Sequence, residues 1–115
     1  MTIRGTIFLA EEDSSVRNLF ARILTDAGYL VIHFVSHQVA LESFLNLEIK
    51  PNVFIVNWGN GSGLEVAKAL REEGFHSIII TTGRVEELSA ENFLLVRKPI
   101  RADDFLKIVG EMMER

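Results

Sequence analysis

Five short apolar runs, separated by segments whose apolar residues recur every three or four positions, constrain the fold more than any other feature of this sequence. The first run is Thr6 to Ala10. Val16, Leu19, Phe20, Ile23, Leu24 and Ala27 then form a helical stripe that Ser14 is placed to cap and Gly28 to close. Tyr29 to Val35 is the second run, rich in β-branched and aromatic residues. Ser36 offers the cap of a helix carrying Val39, Leu41, Phe44 and Leu45, and Pro51 ends that crossover. Val53 to Val56 leads into the glycine-rich turn WGNGSG and a helix expected from about Leu64 to Glu73, stopped at Gly74. Ser77 to Thr81 and Phe93 to Val96 are the last two runs. Ala102 to Met113 holds Phe105, Ile108, Val109 and Met112 at helical spacing. Only nine residues separate Gly83 from Phe93, short for a crossover of roughly 10 to 12, so the fourth helix is expected to be stunted or absent.

Strands that read as unbroken apolar runs belong to a parallel sheet covered on both faces, and their alternation with helices predicts a doubly wound α/β domain. A chain of 115 residues, 48% of them apolar, predicts one domain over residues 1–115 with a core of its own. The absence of cysteine excludes disulfide scaffolds, thiolate zinc sites and thiol nucleophiles. A net charge of −4 gives no basic field, so binding of nucleic acid by this domain is not expected. MTIRGTIFLA lacks the apolar core of a secretory leader, and no apolar run approaches the roughly 20 residues that span a bilayer. A cytoplasmic protein with no membrane partner is expected.

Ligands of open parallel sheets bind beyond the carboxyl ends of the strands. There the sequence places Glu11, Glu12 and Asp13 after the first run, Asn57 after the third, Thr81, Thr82 and Gly83 after the fourth, and Arg97, Lys98 and Pro99 after the fifth. The second run ends in Val35 and adds nothing. Three adjacent acids would repel a phosphate held on helix N–H groups, and no GxGxxG or GxxxxGK[ST] occurs, which argues against nucleotide and flavin sites. Paired carboxylates suit Mg2+, while a lysine and a threonine hydroxyl suit a phosphoryl group held by it. The blander reading of the acids is a solvated helix start, favourable to the helix dipole. Lys98 is then a structural ion pair with Glu12 or the Asn57 amide oxygen. His33, His37 and His76 show no metal-ligand spacing and are expected at the surface or an edge, with Trp58 and Phe93 as packing residues.

On these residues the chain resembles the receiver domains of two-component response regulators over nearly its whole length. Glu11 and Glu12 match that family's acidic pair, Asn57 its phospho-acceptor position, Thr82 with Gly83 its hydroxyl and small residue, and Lys98 with Pro99 its Lys-Pro step. SGLEVAKALR, after Asn57, is similar to the family's third helix. The resemblance implies a flavodoxin-like three-layer sandwich of strand order 2-1-3-4-5, often with a cis bond before Pro99. It also implies a place in a phosphorelay with a sensor kinase or an output domain as partner, and homodimers as one mode of association.

The departures shape the functional expectation. Asn57 carries a neutral amide, which forms no stable acyl phosphate. Glu11 and Glu12 stand where aspartates are more usual, so Mg2+ is expected to bind weakly at most. Leu95 occupies the switch position, where an aromatic residue is common in the family. The chain is therefore read as a degenerate pseudo-receiver with no catalytic residues, acting by protein–protein contact independently of phosphorylation. Its contact face is expected around the short fourth crossover, the fifth strand and the last helix. Two alternatives stay open: a conventional Mg2+-dependent phosphoreceiver with an engineered Asp-to-Asn change at position 57, and a small α/β ligand-binding protein or enzyme using the acidic edge.

Overall fold

The computed structural model describes residues 2–83 and 92–114. Its elements follow in the order β1 (Thr6–Ala10), α1 (Ser14–Asp26), β2 (Leu30–Phe34), α2 (His37–Asn46), β3 (Val53–Asn57), α3 (Ser62–Glu72), β4 (Ile78–Thr82), β5 (Leu94–Arg97) and α4 (Ala102–Met113). The strands form one sheet of order β2-β1-β3-β4-β5, parallel throughout. The peptide bond between Lys98 and Pro99 is cis. Strand order, parallel pairing and this bond agree with the expectations drawn from the sequence. The expected stunted fourth helix falls on residues 84–91, outside the described residues.

Alternate residues of each central strand feed opposite cores, as the period of two requires. Ile7, Leu9, Val53, Ile55 and Ile79 pack with Phe20 and Leu24 of α1 and Phe105, Val109 and Met112 of α4. Phe8, Ala10, Phe54, Val56, Ile78 and Ile80 pack with Ala40 and Phe44 of α2 and Val66, Ala67 and Leu70 of α3. Each such phenylalanine or leucine removed from water stabilises the fold by about 1.5 to 3 kcal/mol. With both faces filled, the free polar chemistry of the central strands is displaced to their ends.

Three local expectations are corrected. Asp13, not Ser14, caps α1, accepting from the N–H groups of Ser15 at 2.9 Å and Val16 at 3.1 Å; its carboxylate thereby leaves the acidic set. The helix α3 starts at Ser62, two residues before Leu64, because Gly61 turns the chain at φ 100° and Gly63 lets the helix approach the strand. A Cβ on Gly63 would stand 2.0 Å from the Asn57 carbonyl oxygen. Finally, β2 is not covered on both faces: Leu30 and Ile32 are exposed. The buried face of α2 lies over the inner strands, Phe44 packing on Phe54 with ring centroids 6.0 Å apart, so the edge strand is left half bare. Among the described residues no helix is long and apolar enough to cross a membrane.

Candidate functional site

The carboxyl edge of the sheet carries a continuous polar network built from five elements. Glu11 and Glu12 follow β1, Asn57 is the last residue of β3, Lys98 follows β5, and His37 and Ser62 are the first residues of α2 and α3. Backbone bonds hold these carriers in place. Glu11 N–H donates to Phe34 O at 3.1 Å, Trp58 N–H to Thr81 O at 2.7 Å, and Lys98 N–H to Thr82 O at 2.7 Å. The strand ends are therefore fixed before any side chain is considered.

Glu11 is only 1% exposed. One carboxylate oxygen accepts from Lys98 Nζ at 2.9 Å and the other from the Asp13 N–H at 3.1 Å. Burial pushes its carboxyl above the ordinary 4.5, outweighing the downward pull of the Lys98 ammonium and the Asp13 N–H. Lys98 also donates to Asn57 Oδ1 at 2.8 Å, while Asn57 Nδ2 donates to Glu12 Oε1. This orientation of the amide is forced, because an ammonium can only donate and a carboxylate can only accept. Asn57 is thus held from both sides at a buried position.

Beyond Asn57 the network continues through a residue that the sequence reading misplaced. His37 is not a surface or edge histidine: it is 8% exposed, with Nε2 3.0 Å from Glu12 Oε2 and Nδ1 2.6 Å from Ser62 Oγ. The Nε2 contact is close but lies off hydrogen-bond alignment. Inspection of strand ends alone overlooked it, since helix N-termini share the same edge in a parallel α/β fold. The legible signal was a capping Ser36 placing His37 on the first turn of α2. His33 and His76 are exposed, as expected.

The remaining expected residues are distributed as follows. Of the two partners expected for Lys98, the Asn57 amide oxygen is met at 2.8 Å, while the ion pair forms with Glu11 and not Glu12, because Glu12 turns away toward Asn57 and the imidazole. Thr81 and Thr82 are buried at the end of β4. Leu95, Trp58 and Phe93 are partly buried against the core on the α2–α3 side.

The donors do not fit Mg2+. Both oxygens of Glu11 and both of Glu12 already face N–H groups or the imidazole, and Asn57 Oδ1 faces the Lys98 ammonium. Among the described residues no group of three or more histidines or acids is placed to hold a metal ion. A hard cation needs several free oxygens, and here they are already engaged.

Comparison with known proteins agrees with the architecture. The fold is that of response regulator receiver domains. A response regulator receiver protein from Sinorhizobium medicae WSM419 superposes with TM-score 0.81 at 22% identity, over 95% of this chain and 94% of that one. A receiver domain protein from Clostridium thermocellum gives 0.83 at 20% identity, over 96% and 94%. Full-length FixJ from B. japonicum gives 0.81 at 22% identity over 98% of this chain, which spans 59% of FixJ. No family model matches the sequence, and no curated protein matches it. The receiver fold is thus shared at low identity.

Proposed function

We propose that residues 1–115 form a receiver-like signalling module that acts by protein–protein contact, independently of phosphorylation, in a two-component-type pathway. The observation that carries this reading is the Asn57 amide, which accepts from Lys98 and donates to Glu12 at the strand end where the family's acceptor stands. An amide nitrogen is no nucleophile toward phosphorus and cannot form the acyl phosphate that a carboxylate forms. The Lys98 ammonium, which in such sites stabilises a phosphoryl group, is neutralised by Glu11. The module is accordingly read as having no turnover of its own, with a sensor kinase or an output domain as partner and the cytoplasm as its location.

Intact-mass analysis after incubation with a small-molecule phosphodonor and Mg2+ tests the central claim. The mass should be unchanged. A stoichiometric, hydroxylamine-labile phosphoryl adduct overturns the reading. The contact face is tested by chemical-shift perturbation with the captured partner, expected on β5 and α4; shifts confined to α1 would count against it.

A further inference from the structure

Three side chains from three separate elements meet beside the Asn57 network in the order serine, imidazole, carboxylate. Ser62 Oγ lies 2.6 Å from His37 Nδ1, and His37 Nε2 lies 3.0 Å from Glu12 Oε2. We propose that Ser62 is a nucleophilic acceptor for an activated acyl group, with His37 as its general base and Glu12 as the carboxylate that orients the ring.

The proposal places the ring proton on Nε2, toward the Glu12 carboxylate, which can only accept and lies 3.0 Å away though off hydrogen-bond alignment. Nδ1 is then bare and the Ser62 hydroxyl donates to it, the polarisation that turns a hydroxyl into a nucleophile. The arrangement of base and orienting group follows the serine–histidine–acid logic with the two ring nitrogens exchanged. Asn57 takes part as a positioning residue, because its Nδ2 donates to the other Glu12 oxygen.

Ser62 is exposed, so an electrophile reaches it from solvent. Gly59 lets the loop run close against the three groups: a Cβ there would stand 3.1 Å from Ser62 Oγ, 3.2 Å from His37 Cε1 and 3.6 Å from Glu12 Oε2, a crowded position for any side chain. In the step proposed, Ser62 Oγ attacks the carbonyl carbon of an activated ester and its proton passes to His37 Nδ1. The alkoxide or phenolate leaves, and an O-acyl serine remains.

Ser14 supplies a control within the same molecule: it is the exposed first residue of α1, as Ser62 is of α3, but the structure places no imidazole against it. With p-nitrophenyl acetate as the probe and peptide mass mapping as the readout, Ser62 should be acetylated about 100-fold faster than Ser14, the lower end of general-base assistance. His37→Gln should bring Ser62 down to the Ser14 rate. Where circular dichroism finds His37→Gln unfolded, Glu12→Gln at its half-exposed side chain replaces it and should slow Ser62 alone. Nitrogen-15 NMR of the His37 ring reads the positioning claim directly: Nε2 protonated and Nδ1 bare in the parent, with that signature disturbed in Asn57→Asp. Equal labelling of Ser62 and Ser14, unchanged labelling in a folded His37→Gln, or the opposite tautomer in the parent would overturn the proposal.

Discussion

Glu11 and Lys98 make up the inner half of the polar edge, and Glu12, His37 and Ser62 the outer half, yet the two acids that start these halves are neighbours in sequence. Glu11 is sealed from water and faces an ammonium across 2.9 Å. Its carboxyl is pushed upward by burial even with that partner present. Glu12 is half exposed and divides its oxygens between an amide and an imidazole. A desolvated pair is expensive to break, whereas an exposed one contributes little. A single step along the chain at the end of β1 therefore converts a structural acid into an adaptable one, and Asn57 links the two halves through Lys98 and Glu12.

The largest expected effect comes from breaking the inner half. Lys98→Met leaves the Glu11 carboxylate buried without its cation and should lower stability by about 3 kcal/mol at neutral pH in urea unfolding. The loss should shrink in acid, where Glu11 takes up a proton. A loss no larger than that of an exposed pair would erase the distinction between the halves.

Asn57→Asp strikes the link between them. Replacing the amide donor by a carboxylate beside Glu12 adds like-charge repulsion and should cost about 1 to 2 kcal/mol. The melting temperature of the parent should not respond to Mg2+, given that its oxygens are engaged. A Mg2+-dependent rise in the parent would show that those contacts open readily.

Glu11→Gln gives a smaller effect, read in its pH dependence. A folded-state carboxyl raised above 4.5 binds its proton more tightly than the unfolded chain does. Its contribution is then complete below about pH 4.5 and is lost as pH rises through the folded value. The parent should lose stability relative to Glu11→Gln across that window, followed as urea midpoints from pH 4 to pH 7. A parallel pair of curves would remove burial as the governing cause. Glu12→Gln should be the smallest, within about 0.5 kcal/mol, and a much larger loss would make the outer half structural as well.

The elements were legible because their signals are local. Apolar runs marked every strand to within a residue or so, and Ala102 to Met113 was bounded by its stripe alone. The positions of Glu11, Asn57 and Lys98 followed from the rule that strand ends converge. What escaped depends on packing angles that no spacing records. Asp13 and Ser14 are both good caps, and only the exit direction of β1 decides between them. The exposure of Leu30 and Ile32 depends on where α2 rests. His37 escaped because Val35 ends its strand without polar chemistry, although the polar group arrives two residues later on the helix.

The contacts around Glu12 also bear on how such a chain diverges. The Asn57 amide donates to one Glu12 oxygen, and the His37 ring lies 3.0 Å from the other. An acid at position 57 would withdraw the amide donor and set a second charge against Glu12, which favours a compensating change at the glutamate or the imidazole. Positions 12, 37 and 57 are therefore physically coupled, and among relatives of this chain replacements at them are expected to occur in pairs.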